Sequence, residues 1–328
     1  MKKKIVFSGI QASGSLHLGN YLGAIRNWAA MQYDYNNYFC VVDLHTITVP
    51  QDPSTLRTKI REVAGLLFAA GIEAENSVVF VQSDVKAHSE LAWLLNCITP
   101  MGWLHRMTQF KEKSEKQKEE VSVGLFDYPV LQAADILLYD THMVPVGEDQ
   151  KQHVELCRDI AQRFNYRYGD VFVLPEPYIP AVGGRVMGLA NPEKKMSKSE
   201  EKKEDSIFLL DSPDEIRKKV KKATTDSQRD ISFDENRPGV NNLLTIYQLL
   251  TDKSREDIEG HFSGKSYKDL KEQVAEVIIE TLRPVQERYF ELTGEKGYLD
   301  GMLERGAEKA GEQADYKMRQ VSEHMGLK

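Results

Sequence analysis

Short β-branched or aromatic runs alternate with helical patterns through the first 200 or so positions, and that alternation leaves very few folds open. Strands are predicted at residues 5–7, 38–42, 78–81 and 143–146. Between them Leu56, Ile60, Val63, Ala64 and Leu67 recur at helical spacing until Gly71 ends the pattern. Val154, Cys157, Ile160, Ala161 and Phe164 repeat that spacing after the fourth strand. A strand followed by a crossover helix returns parallel to its predecessor, so the expected class is α/β: a Rossmann-like parallel sheet with covered faces. Such sheets bind ligands beyond the carboxyl ends of their strands. Gly9, His45 and Gly147 all fall just past a predicted strand.

From about residue 205 the strand signal fades. Val240, Leu243, Leu244, Tyr247 and Leu250 form one apolar helical stripe, and Leu270, Val274, Val277 and Ile278 form another. Residues 300–325 read as further helix, interrupted at Gly311. The expected division is a Rossmann-like catalytic domain over 1–205, rejoined by the last C-terminal helices, and an all-α domain over 206–328. The Lys-, Glu- and Ser-rich stretch 192–205 is the expected hinge. Cys40, Cys97 and Cys157 form no CxxC pair, which argues against a disulfide framework, a protein-bound zinc or an iron–sulfur cluster. Only three apolar residues follow Lys2, Lys3 and Lys4, too few for a secretory signal, and no run approaches a membrane span. A cytoplasmic protein with no membrane partner is expected.

Two short motifs carry the chemistry. His17-Leu18-Gly19-Asn20 follows the first strand and a Gly-containing turn, and it opens a helix whose N-terminus suits a phosphate. Lys195-Met196-Ser197-Lys198-Ser199 begins 178 positions later (195 − 17) and puts two ammonium groups on a small-residue loop. Together they describe a triphosphate held from two sides. In this order they resemble the HIGH and KMSKS motifs of class I aminoacyl-tRNA synthetases. Residues 7–11, 107–111, 128–137, 144–153 and 237–244 resemble the bacterial tryptophan-specific members of that family, over nearly the whole chain.

The resemblance implies an ATP-dependent tryptophan–tRNA ligase, with Mg²⁺ arriving on the ATP, L-tryptophan and tRNA(Trp) as partners, and a homodimer. It assigns ATP to Gln11, Ala12, Ser13, Gly19, Asn20, Gly147, Glu148, Asp149, Val186, Lys195, Met196, Ser197, Lys198 and Ser199. It assigns tryptophan to Phe7, Gly9, His45, Tyr128, Gln132, Asp135, Val144, Val146 and Gln150. His17, Asn20, Lys113, Lys195 and Lys198 would be catalytic, and the helices after 205 would bind the anticodon. Asp135, an acceptor-only side chain in an apolar stretch, suits the single N–H of indole. On its own such an aspartate is more readily the helix partner of a structural Arg.

Net charge is −7, so tRNA would have to meet local patches: Lys111, Lys113, Lys116 and Lys118, or Arg217, Lys218, Lys219, Lys221 and Lys222. Gln132 departs from the methionine usual in the bacterial tryptophan enzymes, and with Tyr128 and Asp135 its spacing is shared with tyrosyl-tRNA synthetases. The run 147–151 lacks the Gly-Gly-Ser-Asp-Gln character of that rival. A small-molecule nucleotidyltransferase could share both ATP motifs, but it has no need of an all-α second half. A non-catalytic RNA-binding paralogue, in turn, has no need of His17, Asn20, Lys195 and Lys198.

Overall fold

The computed structural model describes residues 3–109, 121–179, 185–197, 204–228 and 230–328. Five parallel strands form one sheet in the order β3-β2-β1-β4-β5: β1 Ile5–Ile10, β2 Asn36–Val41, β3 Ser77–Val81, β4 Met143–Pro145 and β5 Glu176–Tyr178. Alternate strand residues face opposite layers. Ile10, Phe39, Val41, Val79 and Val81 enter one apolar cluster, whereas Phe7, Cys40, Phe80 and Val144 enter the other. β5 has no sequence signal: it is only Glu-Pro-Tyr, and Pro177 is tolerated because this strand lies at the sheet edge with β4 as its single neighbour.

The crossover helices begin and end as their sequences dictate. Asp52 caps the helix Pro53–Ala69 by accepting from Ser54 N–H, and Gly71, at φ 102°, ends the turn that follows. Ser122 caps Val123–Leu137 in the same way through Leu125 N–H. After residue 205 the described elements are helices: Pro213–Lys221, Pro238–Thr251, Arg255–Phe262, Tyr267–Gly294 and Tyr298–Met325. The apolar faces of the first four, and the start of the fifth, join the cluster that already contains Ile10, Phe39 and Val79, so they pack on one sheet layer.

The last helix differs from the sequence expectation. It runs unbroken from Tyr298 to Met325, with Gly311 inside it. A glycine costs a helix only about 1 kcal/mol, and burial on both sides of Gly311 outweighs that. Leu299 and Leu303 lie in one sheet layer, whereas Ala310, Ala314, Met318 and Val321 lie in the other. The helix thus passes over the free edge of β3, and Gly306 marks the crossing: a Cβ there would run into the Val79 carbonyl. Lys317, 3% exposed, pins the far side by pairing with Asp140 at 2.6 Å and donating to the Val171 carbonyl at 2.9 Å. Among the described residues no helix is long and apolar enough to cross a membrane.

Candidate active site

Strand order reverses between β1 and β4, so the connections leaving their carboxyl ends diverge and open a crevice. A cavity of about 360 Å³ lies there. Phe7 and Gly9 of β1, Val144 on β4 and Val146 just beyond it, and His45 after β2 form its walls, with Gln150 at the mouth. Tyr128, Gln132 and Asp135 project from one face of the helix Val123–Leu137 at spacings of four and three. All nine residues expected to meet an amino acid therefore line one cavity, together with Gln11 and Gly147 from the nucleotide set.

Asp135 is 1% exposed and sits at the centre of a polar knot. His88 Nδ1 and Gln82 Nε2 each donate to its Oδ1 at 2.6 Å, and His45 Nε2 reaches Oδ2 at 2.7 Å. Burial alone would push this carboxyl up, but the charge and hydrogen bonds of His45 and then His88 more than offset it and hold Asp135 well below the usual carboxylate range. This carboxylate thus faces a cavity whose walls mix apolar side chains, Phe7, Val144 and Val146 among them, with the amides of Gln109, Gln132 and Gln150. Tyr128, buried, is pushed up to about 12 by that burial and keeps its proton. Its hydroxyl donates to Gln109 Oε1 at 3.3 Å and lies 2.9 Å from His153 Nε2. Among the described residues no hydrogen bond engages the Gln132 amide, which is left to a ligand.

The nucleotide end is built by backbone pairing between distant segments. His17 caps Leu18–Asn20, which continues as a π-helical turn, Tyr21–Ile25, into Arg26–Met31. Asn20 N–H donates to His17 Nδ1 at 3.2 Å while Asn20 Oδ1 accepts from His17 N–H at 3.1 Å. Because Nδ1 accepts, the ring proton resides on Nε2, which is then a donor. Gly19 makes room for this ring: a Cβ there would lie 3.0 Å from Nδ1.

Val186–Gly188 and Lys194–Met196 pair as a small antiparallel bridge, with Gly188 N–H donating to Lys194 O at 2.8 Å and Met196 N–H to Val186 O at 3.1 Å. Val186 and Met196 are buried while Lys195 is exposed. The chain beyond returns to the first motif: Leu18 N–H donates to Ile207 O at 2.8 Å and Leu209 N–H to Leu16 O at 2.9 Å. Ser206 Oγ donates to the Ser197 carbonyl at 2.8 Å. Ala12 is buried with its N–H on Thr46 Oγ1 at 3.2 Å, Ser13 is exposed, and Glu148 and Asp149 stand exposed on a turn after β4. Lys113, Lys198 and Ser199 lie outside the described residues.

Four participants went unread in the sequence. Gln82 and His88 are 53 and 47 positions from Asp135, and no local pattern marks either. His153 lies within a stretch that carries the resemblance, yet only the fold sets it beside Tyr128. Asn242, 4% exposed, accepts from Met187 N–H at 2.9 Å and donates to Met187 O at 3.0 Å, extending the lysine-bearing bridge by one surrogate strand.

A parallel sheet with its crevice at the switch point, a capped His-Leu-Gly-Asn helix and a lysine hairpin stitched to it define a class I synthetase site. Residues 1–283 match the family of class I tRNA synthetases for W and Y, and the chain belongs to that family. It is 54% identical over 327 residues to the tryptophan–tRNA ligase of Wolinella succinogenes, covering 100% of both chains. Its fold is similar to the crystal structure of tryptophanyl-tRNA synthetase from Mycoplasma pneumoniae, with TM-score 0.91, 35% identity, and 99% and 98% of the two chains covered. A tryptophanyl-tRNA synthetase from Campylobacter jejuni, complexed with ADP and tryptophan, is similar at TM-score 0.86 and 35% identity, over 98% and 99%.

Proposed function

We infer that this chain is a tryptophan–tRNA ligase, which activates L-tryptophan with ATP to tryptophanyl-adenylate and transfers the amino acid to tRNA(Trp). The carrying observation is the buried Asp135 in a cavity at the β1/β4 switch point, which it shares with Phe7, Val144 and Val146 and with Gln11 of the nucleotide set. Indole offers one donor on a large apolar plane, and Asp135 offers an acceptor among apolar walls. Phenylalanine would leave the remaining acceptor position of Asp135 unfilled, which favours tryptophan over it.

In the first step the tryptophan carboxylate, already ionised near neutral pH, attacks the α-phosphorus. The new carboxylate O–P bond forms as the bridging O–P bond breaks, and the electron pair leaves on pyrophosphate. No general base is required, so rate comes from positioning and from meeting the charge that moves onto pyrophosphate. Nε2–H of His17, the helix N-terminus behind it and the Lys195 ammonium are the groups for that task, joined by Lys113 and Lys198. Gly147, Glu148 and Asp149 would approach the ribose and Val186 the adenine. In the second step the terminal ribose 2′-OH of the tRNA attacks the acyl carbon and AMP leaves.

Mg²⁺ would ride on the phosphates, keeping several of its waters. The helices after residue 205 would form the tRNA anticodon-binding region. Arg217, Lys219 and Lys222 there are already matched to Glu276, Asp211 and Glu204. Ile47, Trp93, Met101 and Val123 are exposed apolar side chains whose segments are tied together by Ser122–Thr48 and Asn96–Asp127 hydrogen bonds. They support a homodimer. ATP–pyrophosphate exchange with tryptophan, tyrosine and phenylalanine tests the assignment. Strong exchange with tryptophan alone is expected, and Gln132→Met should keep that preference. Exchange with tyrosine above that with tryptophan refutes it.

A further inference from the structure

The carboxylate of Asp135 has four lone-pair positions, and its neighbours can be assigned to them one by one. Oδ1 takes two donors, His88 Nδ1 and Gln82 Nε2, each at 2.6 Å, and is full. Oδ2 takes His45 at 2.7 Å, which, among the described residues, leaves one position on an oxygen whose residue lines the cavity. His88 does not line the cavity and is 0% exposed. Its other nitrogen, Nε2, lies 2.8 Å from the hydroxyl of Tyr139, itself fully buried and stacked on Phe7 and Tyr38. Because the carboxylate only accepts, Nδ1 of His88 carries a proton and turns it on Asp135, and in the neutral ring Nε2 is then the nitrogen that accepts from the hydroxyl. A rigid aromatic stack therefore sets the tautomer of His88, and His88 sets the rotation of the carboxylate.

We propose that His88 is a positioning residue for tryptophan recognition: anchored by Tyr139, it fills Oδ1 of Asp135 and so turns the one unfilled lone pair of Oδ2 toward the indole N–H. The inference rests on Asp135 being the indole acceptor, and the two can be separated by one substrate pair. Tryptophan and its β-(3-benzothienyl) analogue, with sulfur in place of the N–H, have nearly the same shape, so the ratio of their kcat/KM values in ATP–pyrophosphate exchange reports the N–H contact alone. Asp135→Asn, His88→Gln and His88→Asn are compared with the parent, with KM for ATP and Tm as controls.

An asparagine amide occupies the place of Nδ1 and keeps a donor on Oδ1. A glutamine amide reaches the place of Nε2 and leaves Oδ1 without it. Asp135→Asn should collapse the ratio. His88→Gln should narrow it about tenfold, the size of one misdirected hydrogen bond, through KM for tryptophan, whereas His88→Asn should stay near the parental ratio. Equal losses on both substrates in His88→Gln, with the ratio intact, overturn the positioning role while leaving Asp135 in place. An unchanged ratio in Asp135→Asn overturns the assignment of Asp135 itself. If neither His88 variant folds, Tyr139→Phe, which frees Nε2 and unlocks the tautomer, must narrow the ratio by itself, or the proposal fails.

Discussion

Replacing Asn242 with leucine, close to it in size but without an amide, removes the surrogate strand that supports the lysine hairpin. Two good hydrogen bonds to Met187, at 2.9 and 3.0 Å, disappear, and a partly buried N–H and carbonyl lose their partner. At about 1 kcal/mol for each bond, and about 1–3 kcal/mol for a stranded buried amide, the loss is about 3–5 kcal/mol. A stability of about 5–15 kcal/mol leaves the fold intact. The strain falls on residues 186–196, because Met187 faces Lys195 across the bridge. If about 2 kcal/mol of that is withdrawn from the hairpin's catalytic placement, adenylate formation slows about thirtyfold. Asn242 does not line the tryptophan cavity, so tryptophan affinity should stay within about threefold of parental, less than one hydrogen bond's worth. Single-turnover adenylate formation, equilibrium tryptophan binding and thermal unfolding measure the three quantities. A folded Asn242→Leu protein that forms adenylate at the parental rate would show that the hairpin needs no such support. Parallel losses in tryptophan affinity and rate would show that the effect is not local to the hairpin.

Lys195→Ala should slow adenylation by about 10²–10³ while leaving tryptophan binding nearly unchanged, because its charge meets pyrophosphate only as the bond breaks; pre-steady-state kinetics at parental rate would remove it from the site. Gly306→Ala and Gly311→Ala should move Tm in opposite directions by calorimetry. At 306 a Cβ collides with the Val79 carbonyl, an overpacking cost of about 1–3 kcal/mol. At 311 nothing lies within 4 Å, and alanine gains about 0.5–1 kcal/mol of helix propensity. Burial raises the Tyr128 phenol from 10.0 to about 12, so the stabilisation of its neutral form is complete below pH 10 and is lost as pH climbs through 12. Tm measured over that window should decline less steeply in Tyr128→Phe than in the parent, and identical slopes would deny the phenol its buried setting.

What could be read in advance followed range. Hydrophobic period is a local property, so β1, β2, β3 and the stripes at 56–67 and 154–164 were visible within a few residues. The cavity walls were legible because motif and strand end coincide, as at Gly9 and Gly147. β5 was not, since three residues containing a proline carry no alternation and the strand is held by pairing with β4 alone. Gly311 reads as a break because helix propensity is local, whereas the burial that carries the helix through it is not. His88 and Gln82 were invisible for a different reason: each is an ordinary polar residue until folding sets it against a carboxylate some fifty positions away.

The helix Tyr298–Met325, laid over the free edge of β3, bears on how such a chain is made. Synthesis runs from the N-terminus, and domains fold as their segments emerge. Here the strand that opens the nucleotide fold is available at residue 5, but the cover for β3 arrives almost 300 residues later. Until then the strand edge and the apolar faces around Val79 and Phe80 have no protein cover from this helix. A growing or prematurely released chain would therefore present its sheet edge to chaperones and proteases rather than a finished crevice. The β3 edge is closed only once Tyr298–Met325 has emerged.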